Sequence, residues 1–130
     1  MELDALLPHR PPARLLERAL RADAAGAEAE LVVRDSWLRS GALAEEALVE
    51  ALAETCALYA SARAGESPGA RSGVLAAVSR FVFKEKALAG ETVRLEVSLE
   101  TVLGPLAAFE GVARVGVREV ARGELRVAFR

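Results

Sequence analysis

Glu46, Glu50 and Glu54 recur every fourth residue along the stretch Ala42–Ala60, which is otherwise almost wholly Ala, Leu, Val, Cys and Tyr. Residues four apart stack on one face of a helix. A helix apolar around nearly all its circumference is normally buried, so the stretch reads as a buried helix with one narrow acidic seam. A desolvated carboxylate holds its proton more tightly, which suits proton transfer. The plainer alternative is that the seam is simply the helix's solvated face.

Other chemistry-bearing residues are sparse. The chain of 130 residues has one histidine, His9, and one cysteine, Cys56. A lone cysteine forms no internal disulfide, and its place within the apolar helix pattern suits a small core residue. One histidine and scattered acids supply no metal-ligand spacing, so no metal and no cofactor is expected. No Gly-rich phosphate loop is present. The net charge of −2, with arginines dispersed among acids, argues against nucleic acid as the partner. No apolar run is long enough and charge-free enough to span a membrane, and the start Met1-Glu2-Leu3-Asp4 does not read as a signal peptide. The expected location is the cytoplasm.

The elements that position these residues follow from the periodicities. Length and a 52% apolar composition fit one globular domain over residues 1–130. Residues 2–7 suggest a short helix ended by Pro8. Ala13–Leu20 has helix-forming residues, and Leu31-Val32-Val33 reads as a strand after a turn at Ala24-Ala25-Gly26. Ser40-Gly41 offers a cap for the long helix, which Gly65 to Gly69 with Pro68 ends. Beyond residue 70 the pattern becomes strand-like: Val74–Lys84, Val93–Glu100, Phe109–Val117 and Glu124–Phe129, with turns at Gly90-Glu91, Gly104-Pro105 and Gly123. The sum is an α+β fold, an antiparallel sheet with one dominant helix. The apolar run Val74–Phe83 needs cover on both faces and reads as an edge where two copies join.

Three stretches, in this order, resemble the hotdog-fold (3R)-hydroxyacyl-ACP dehydratases. They are Leu6-Leu7-Pro8-His9-Arg10-Pro11-Pro12 with Leu15-Leu16-Glu17-Arg18, then Leu48–Glu54, then Ser79-Arg80-Phe81-Val82-Phe83 with Ala89–Val97. The resemblance covers nearly the whole chain. It implies a hotdog fold, a curved antiparallel sheet wrapped around one long central helix, working as a dimer. It also implies that residues 13–21 form the first strand despite their helix propensity. In the family a His ahead of the helix removes the α-proton of a 3-hydroxyacyl thioester, and a helix acid protonates the leaving hydroxyl.

The helix acid maps onto Glu50, and Glu54 stands where the family usually has Gln, so these two are the candidate catalytic residues. Backbone N–H groups near the helix start, at Gly41 and Ala42, would polarise the thioester carbonyl. Trp37 falls where the family places aromatics along the acyl tunnel, or else is a core residue under the helix. Arg39 and Arg80 could meet the phosphate of a phosphopantetheine arm, or be plain surface arginines.

The catalytic His has no counterpart between Asp35 and Glu50, and the family's His-Phe-Pro loop is shortened away. His9 belongs to the Leu-Pro-His-Arg segment, whose matching His in the family is not the base. The resemblance therefore implies a dehydratase-like protein acting on, or binding, acyl thioesters carried by ACP or CoA. It is expected as a homodimer or as a heterodimer with a related hotdog chain. A non-catalytic acyl-binding partner and a thioesterase using Glu50 are the alternatives.

Overall fold

Strict apolar–polar alternation along Val93–Glu100 makes one face of a strand apolar, and in the structure that face lies against the long helix. The computed structural model describes residues 15–63 and 73–129. Among these described residues, eight strands and one α-helix follow in the order β1 (Arg18–Asp23), β2 (Gly26–Val32), β3 (Leu38–Arg39), β4 (Ala42–Leu43), α1 (Glu45–Arg63), β5 (Gly73–Phe83), β6 (Thr92–Leu103), β7 (Leu106–Val115) and β8 (Arg118–Phe129). Six strands form one sheet in the order β1-β2-β6-β7-β8-β5, with every neighbouring pair antiparallel, while β3 and β4 pair only with each other.

The inward residues Ala27, Ala29 and Leu31 of β2, Val93, Leu95 and Val97 of β6, Phe109 of β7, and Leu125 and Val127 of β8 are buried. They meet Leu48, Leu52, Cys56 and Tyr59 of α1 in one core. Tyr59 and Phe109 meet edge to face with centroids 5.3 Å apart. Gly111 lets the helix come close, because a Cβ there would lie 2.6 Å from a Leu125 methyl and 3.4 Å from Leu52.

The sheet wrapped on a single helix is the arrangement implied by the resemblance, and several boundaries differ from the expectations. The segment after residue 14 is extended, as the resemblance implied against its helix propensity, and it enters β1 only at Arg18. Its propensity yields because Leu15, Leu16 and Ala19 must be buried against the core. Helix α1 starts at Glu45 rather than Ala42, because Ala42 and Leu43 are used in a small hairpin with Arg39 and Leu38. Ser40 and Gly41 are the turn of that hairpin, at φ 54° and 84°, and not the helix cap. Gly123 lies inside β8 opposite Gly111, and the chain reverses instead at Gly116-Val117. The expected helix over residues 2–7, His9 and the Gly65–Gly69 stop lie outside the described residues.

Candidate functional site

The N-terminal end of α1 opens onto a cavity of about 250 Å³. One wall is the β3–β4 hairpin and the helix start, with Arg39, Ala42, Leu43 and Glu46; the other is Phe83 at the end of β5, Glu85, Lys86 and Ala87 after it, and Val120 of β8. Backbone hydrogen bonds brace the two walls. The Leu43 N–H donates to Ala87 O at 2.8 Å, and the Ala44 N–H donates to Trp37 O at 3.1 Å. The first intrahelical bond runs from the Leu48 N–H to Ala44 O. The N–H groups of a helix's first turn have no carbonyl partner inside the helix and favour negative charge or a polarised oxygen. Within this wall, Glu46 satisfies part of that need. Its carboxyl is held below its ordinary range by its own backbone N–H first and by Arg39 second. The Arg39 guanidinium lies 2.6 Å from Glu46 Oε2.

The acidic seam divides along its length. Glu46 and Glu50 are exposed, whereas Glu54 is buried. Both Glu54 oxygens accept the Leu15 N–H, at 3.1 and 3.2 Å, and Oε1 also accepts the Leu16 N–H at 3.3 Å. This carboxylate is a clamp on the backbone that leads into β1. Glu50 has no ion pair among the described residues and is not part of the cavity wall. The two acids thus stand in different surroundings despite being one turn apart.

The remaining expected residues are scattered. Ala42 lines the cavity, and Gly41 is exposed beside it in the hairpin turn. Trp37 closes a single 3₁₀ turn, Asp35–Trp37, and packs against the core with the Arg34 guanidinium 5.5 Å over its ring. Arg80 is exposed on β5 and is absent from the cavity wall. Cys56 is fully buried, and burial pushes its thiol up, so it is an unreactive core residue. Among the described residues no three His, Cys, Asp or Glu side chains converge as metal ligands would, and no helix is long and apolar enough to cross a membrane.

The sequence reading missed Phe83, Lys86 and Ala87. Lys86 and Ala87 lie in the connector after β5, where no periodicity marks them, and Phe83 is the last residue of β5, marked as strand but not as site. The available signal was position alone, a short polar break directly after an apolar run.

The chain is similar to several solved hotdog structures. One is described as the dehydratase heterocomplex ApeI:P from Xenorhabdus doucetiae, 19% identical over 98% of this chain and 90% of that chain, with a TM-score of 0.87. Another is a hypothetical thioesterase with coenzyme A from Streptococcus pneumoniae, 10% identical over 87% and 84%, with a TM-score of 0.72. A third is smu.793 of Streptococcus mutans bound to acetyl CoA, 13% identical over 94% and 96%, with a TM-score of 0.74. At these identities the likeness shows the fold, a hotdog of the α+β class. No curated protein matches the chain. The model of the ApeP-like family, described as ApeP dehydratase, matches residues 1–129, and the chain belongs to that family.

Proposed function

We propose that this chain binds an acyl thioester at the start of α1 and works as one half of a two-chain dehydratase, the other half supplying the base. The observation that carries the reading is the cavity wall itself. Among the described residues, its ionisable side chains are Arg39, Glu45, Glu46, Glu85 and Lys86. Arg39 is paired with Glu46, and Glu85 lies 3.3 Å from Arg118.

Eliminating water from a 3-hydroxyacyl thioester requires removal of the α-proton and protonation of the departing hydroxyl. A positioned base contributes about a hundredfold to ten-thousandfold. The chain's single histidine, His9, lies outside the described residues, in a Leu-Pro-His-Arg segment whose matching His in the resembled dehydratases is not the base, so the base is assigned to the second chain. Glu50 is the acid this chain contributes, and the partner chain covers its exposed position. The first-turn N–H groups of α1, together with the Gly41–Ala42 backbone, face the thioester carbonyl. Membership of the ApeP-like family supports this assignment, as does the described pairing of the Xenorhabdus neighbour in a heterocomplex. The two neighbours with coenzyme A derivatives support a thioester carrier arm.

Titration calorimetry with acyl-CoA and 3-hydroxyacyl-ACP tests the binding. Ala42→Trp, which fills the cavity, abolishes it. Assembled with a histidine-bearing hotdog dehydratase chain, the protein supports turnover that Glu50→Gln lowers by about a hundredfold or more. The exposed position of Glu50 keeps the effect on stability within about 0.5 kcal/mol. Full turnover by this chain alone overturns the reading.

A further inference from the structure

The two walls of the cavity are held by different means. The first rests on α1 and the β3–β4 hairpin. The second is formed largely by the connector of residues 84–91, an irregular segment between β5 and β6. Backbone bonds fix the ends of this connector. At one end the Lys84 and Glu85 N–H groups donate to Val120 O, at 2.8 and 3.3 Å. At the other the Gly90 N–H donates to Val33 O and the Val33 N–H to Glu91 O, both at 2.9 Å. Between these ends stand Lys86 and Ala87. The bond from the Leu43 N–H to Ala87 O joins this middle stretch to the opposite wall.

One guanidinium spans the same stretch. Arg118 follows the two-residue turn Gly116-Val117 and is in register with Val115, so a tight hairpin sets its backbone. Its Nη1 donates to Glu85 Oε1 at 3.3 Å and its Nη2 to Glu91 Oε2 at 2.9 Å. The Glu91 carboxylate is used twice. Its Oε1 accepts the Leu88 N–H at 2.7 Å, while the Glu91 N–H donates to Leu88 O at 3.0 Å. Lys86, Ala87 and Leu88 therefore lie between two carboxylates held by one fork. A guanidinium suits this task because its donors keep a fixed planar geometry, whereas an ammonium is a point charge. Both pairs are at least partly open to solvent. Such pairs add little to global stability, so their effect falls on local opening of the connector.

We propose that Arg118 is a positioning residue for the cavity. By tying Glu85 to Glu91 it holds Lys86 and Ala87 in the wall that faces the start of α1, and so sets how tightly the cavity binds its ligand. The proposal rests on the thioester reading above and adds the element that preorganises that site. Arg118 is not itself part of the cavity wall, so it acts through the connector. A wall already held in its bound shape loses less freedom when the ligand arrives, which is gained as affinity. A residue that only pinned the β7–β8 turn would behave differently. Its loss would not reach the Leu43 N–H, which stands on the far wall and is linked to this side by its bond to Ala87 O.

Amide hydrogen exchange on the ligand-free chain, read by nuclear magnetic resonance, tests the clamp. In Arg118→Ala, exchange at Leu43 and Leu88 is expected to rise by about fivefold or more, while amides of β6 and β7 stay within about twofold of wild type. Calorimetry with acetyl-CoA is expected to show affinity lowered by about fivefold or more in the same variant. Arg118→Lys keeps the charge and loses the fork, so both readouts should fall between those of wild type and Arg118→Ala. Unchanged exchange at Leu43 in Arg118→Ala overturns the proposal. So does exchange that quickens equally in β6 and β7, which is a global loss of stability, and so does faster exchange at Leu43 with unchanged affinity. The two readings separate on the same samples. Faster exchange at Leu43 in the variant, with no acetyl-CoA binding by wild type, supports the clamp and refutes the thioester reading. Acetyl-CoA binding by wild type, with unchanged exchange in the variant, does the reverse.

Discussion

The carboxylate of Glu54, midway along α1, holds the backbone of Leu15 through both of its oxygens, at 3.1 and 3.2 Å. A buried acid on an apolar helix is thereby explained without catalysis. Residues 15 and 16 approach the helix before β1 begins, so their N–H groups have no strand to pair with at that point. An acceptor supplied from α1 satisfies both. This ties the chain's first described segment to the helix and sets where β1 joins the sheet.

Replacing Glu54 by Ala leaves buried N–H groups without an acceptor. The expected loss is roughly 1–3 kcal/mol for a buried group so orphaned. Glu54→Gln keeps one oxygen acceptor and should lose less. Urea denaturation of the three proteins, read by far-ultraviolet circular dichroism, measures the order. A Glu54→Ala protein as stable as wild type would show that the clamp contributes nothing.

The two facing glycines differ in what a methyl group meets. At Gly111 the obstacle is a Leu125 methyl at 2.6 Å, the far end of a flexible side chain, whereas at Gly123 it is the rigid Phe81 ring at 2.2 Å. Gly123→Ala should therefore destabilise more than Gly111→Ala, within the range of about 1–3 kcal/mol typical of overpacking. Thermal melts of both variants check this. Gly123→Ala combined with Phe81→Ala should recover part of the loss, because the pair is coupled through direct contact.

Acid should weaken the outer face of β8. The Arg122 guanidinium first, and Lys84 second, hold the Glu119 carboxyl at about 2, well below its ordinary value of 4.5. A lowered folded-state pKa means that the stabilising contribution is complete above the unfolded value. It is lost as pH falls from about 4.5 toward about 2. Melting temperatures across that window should fall less steeply for Glu119→Gln than for wild type. Identical acid limbs would show that the Glu119 cluster adds no pH dependence.

Periodicity alone determined the class of fold here. The alternation in Val93–Glu100 and the largely apolar character of Ala47–Ala60 each specify an element by which faces need burial, and burial follows residue type. The order of motifs along the chain was enough to indicate the hotdog family. In three features tertiary structure overrides or goes beyond local residue preference. Leu15–Leu20 is extended because the sheet needs a first strand and the helix an anchored neighbour, which outweighs a local helix preference worth tenths of a kcal/mol per residue, about 0–0.7. Gly123, a plain turn signal in sequence, is inside β8 because a ring from another strand needs its missing side chain. The three glutamates of the seam are alike in type and spacing, yet two face out and the third clamps the backbone before β1. Their spacing sets a common face of the helix. What that face meets changes along its length, and only the packing of the other elements around α1 determines it.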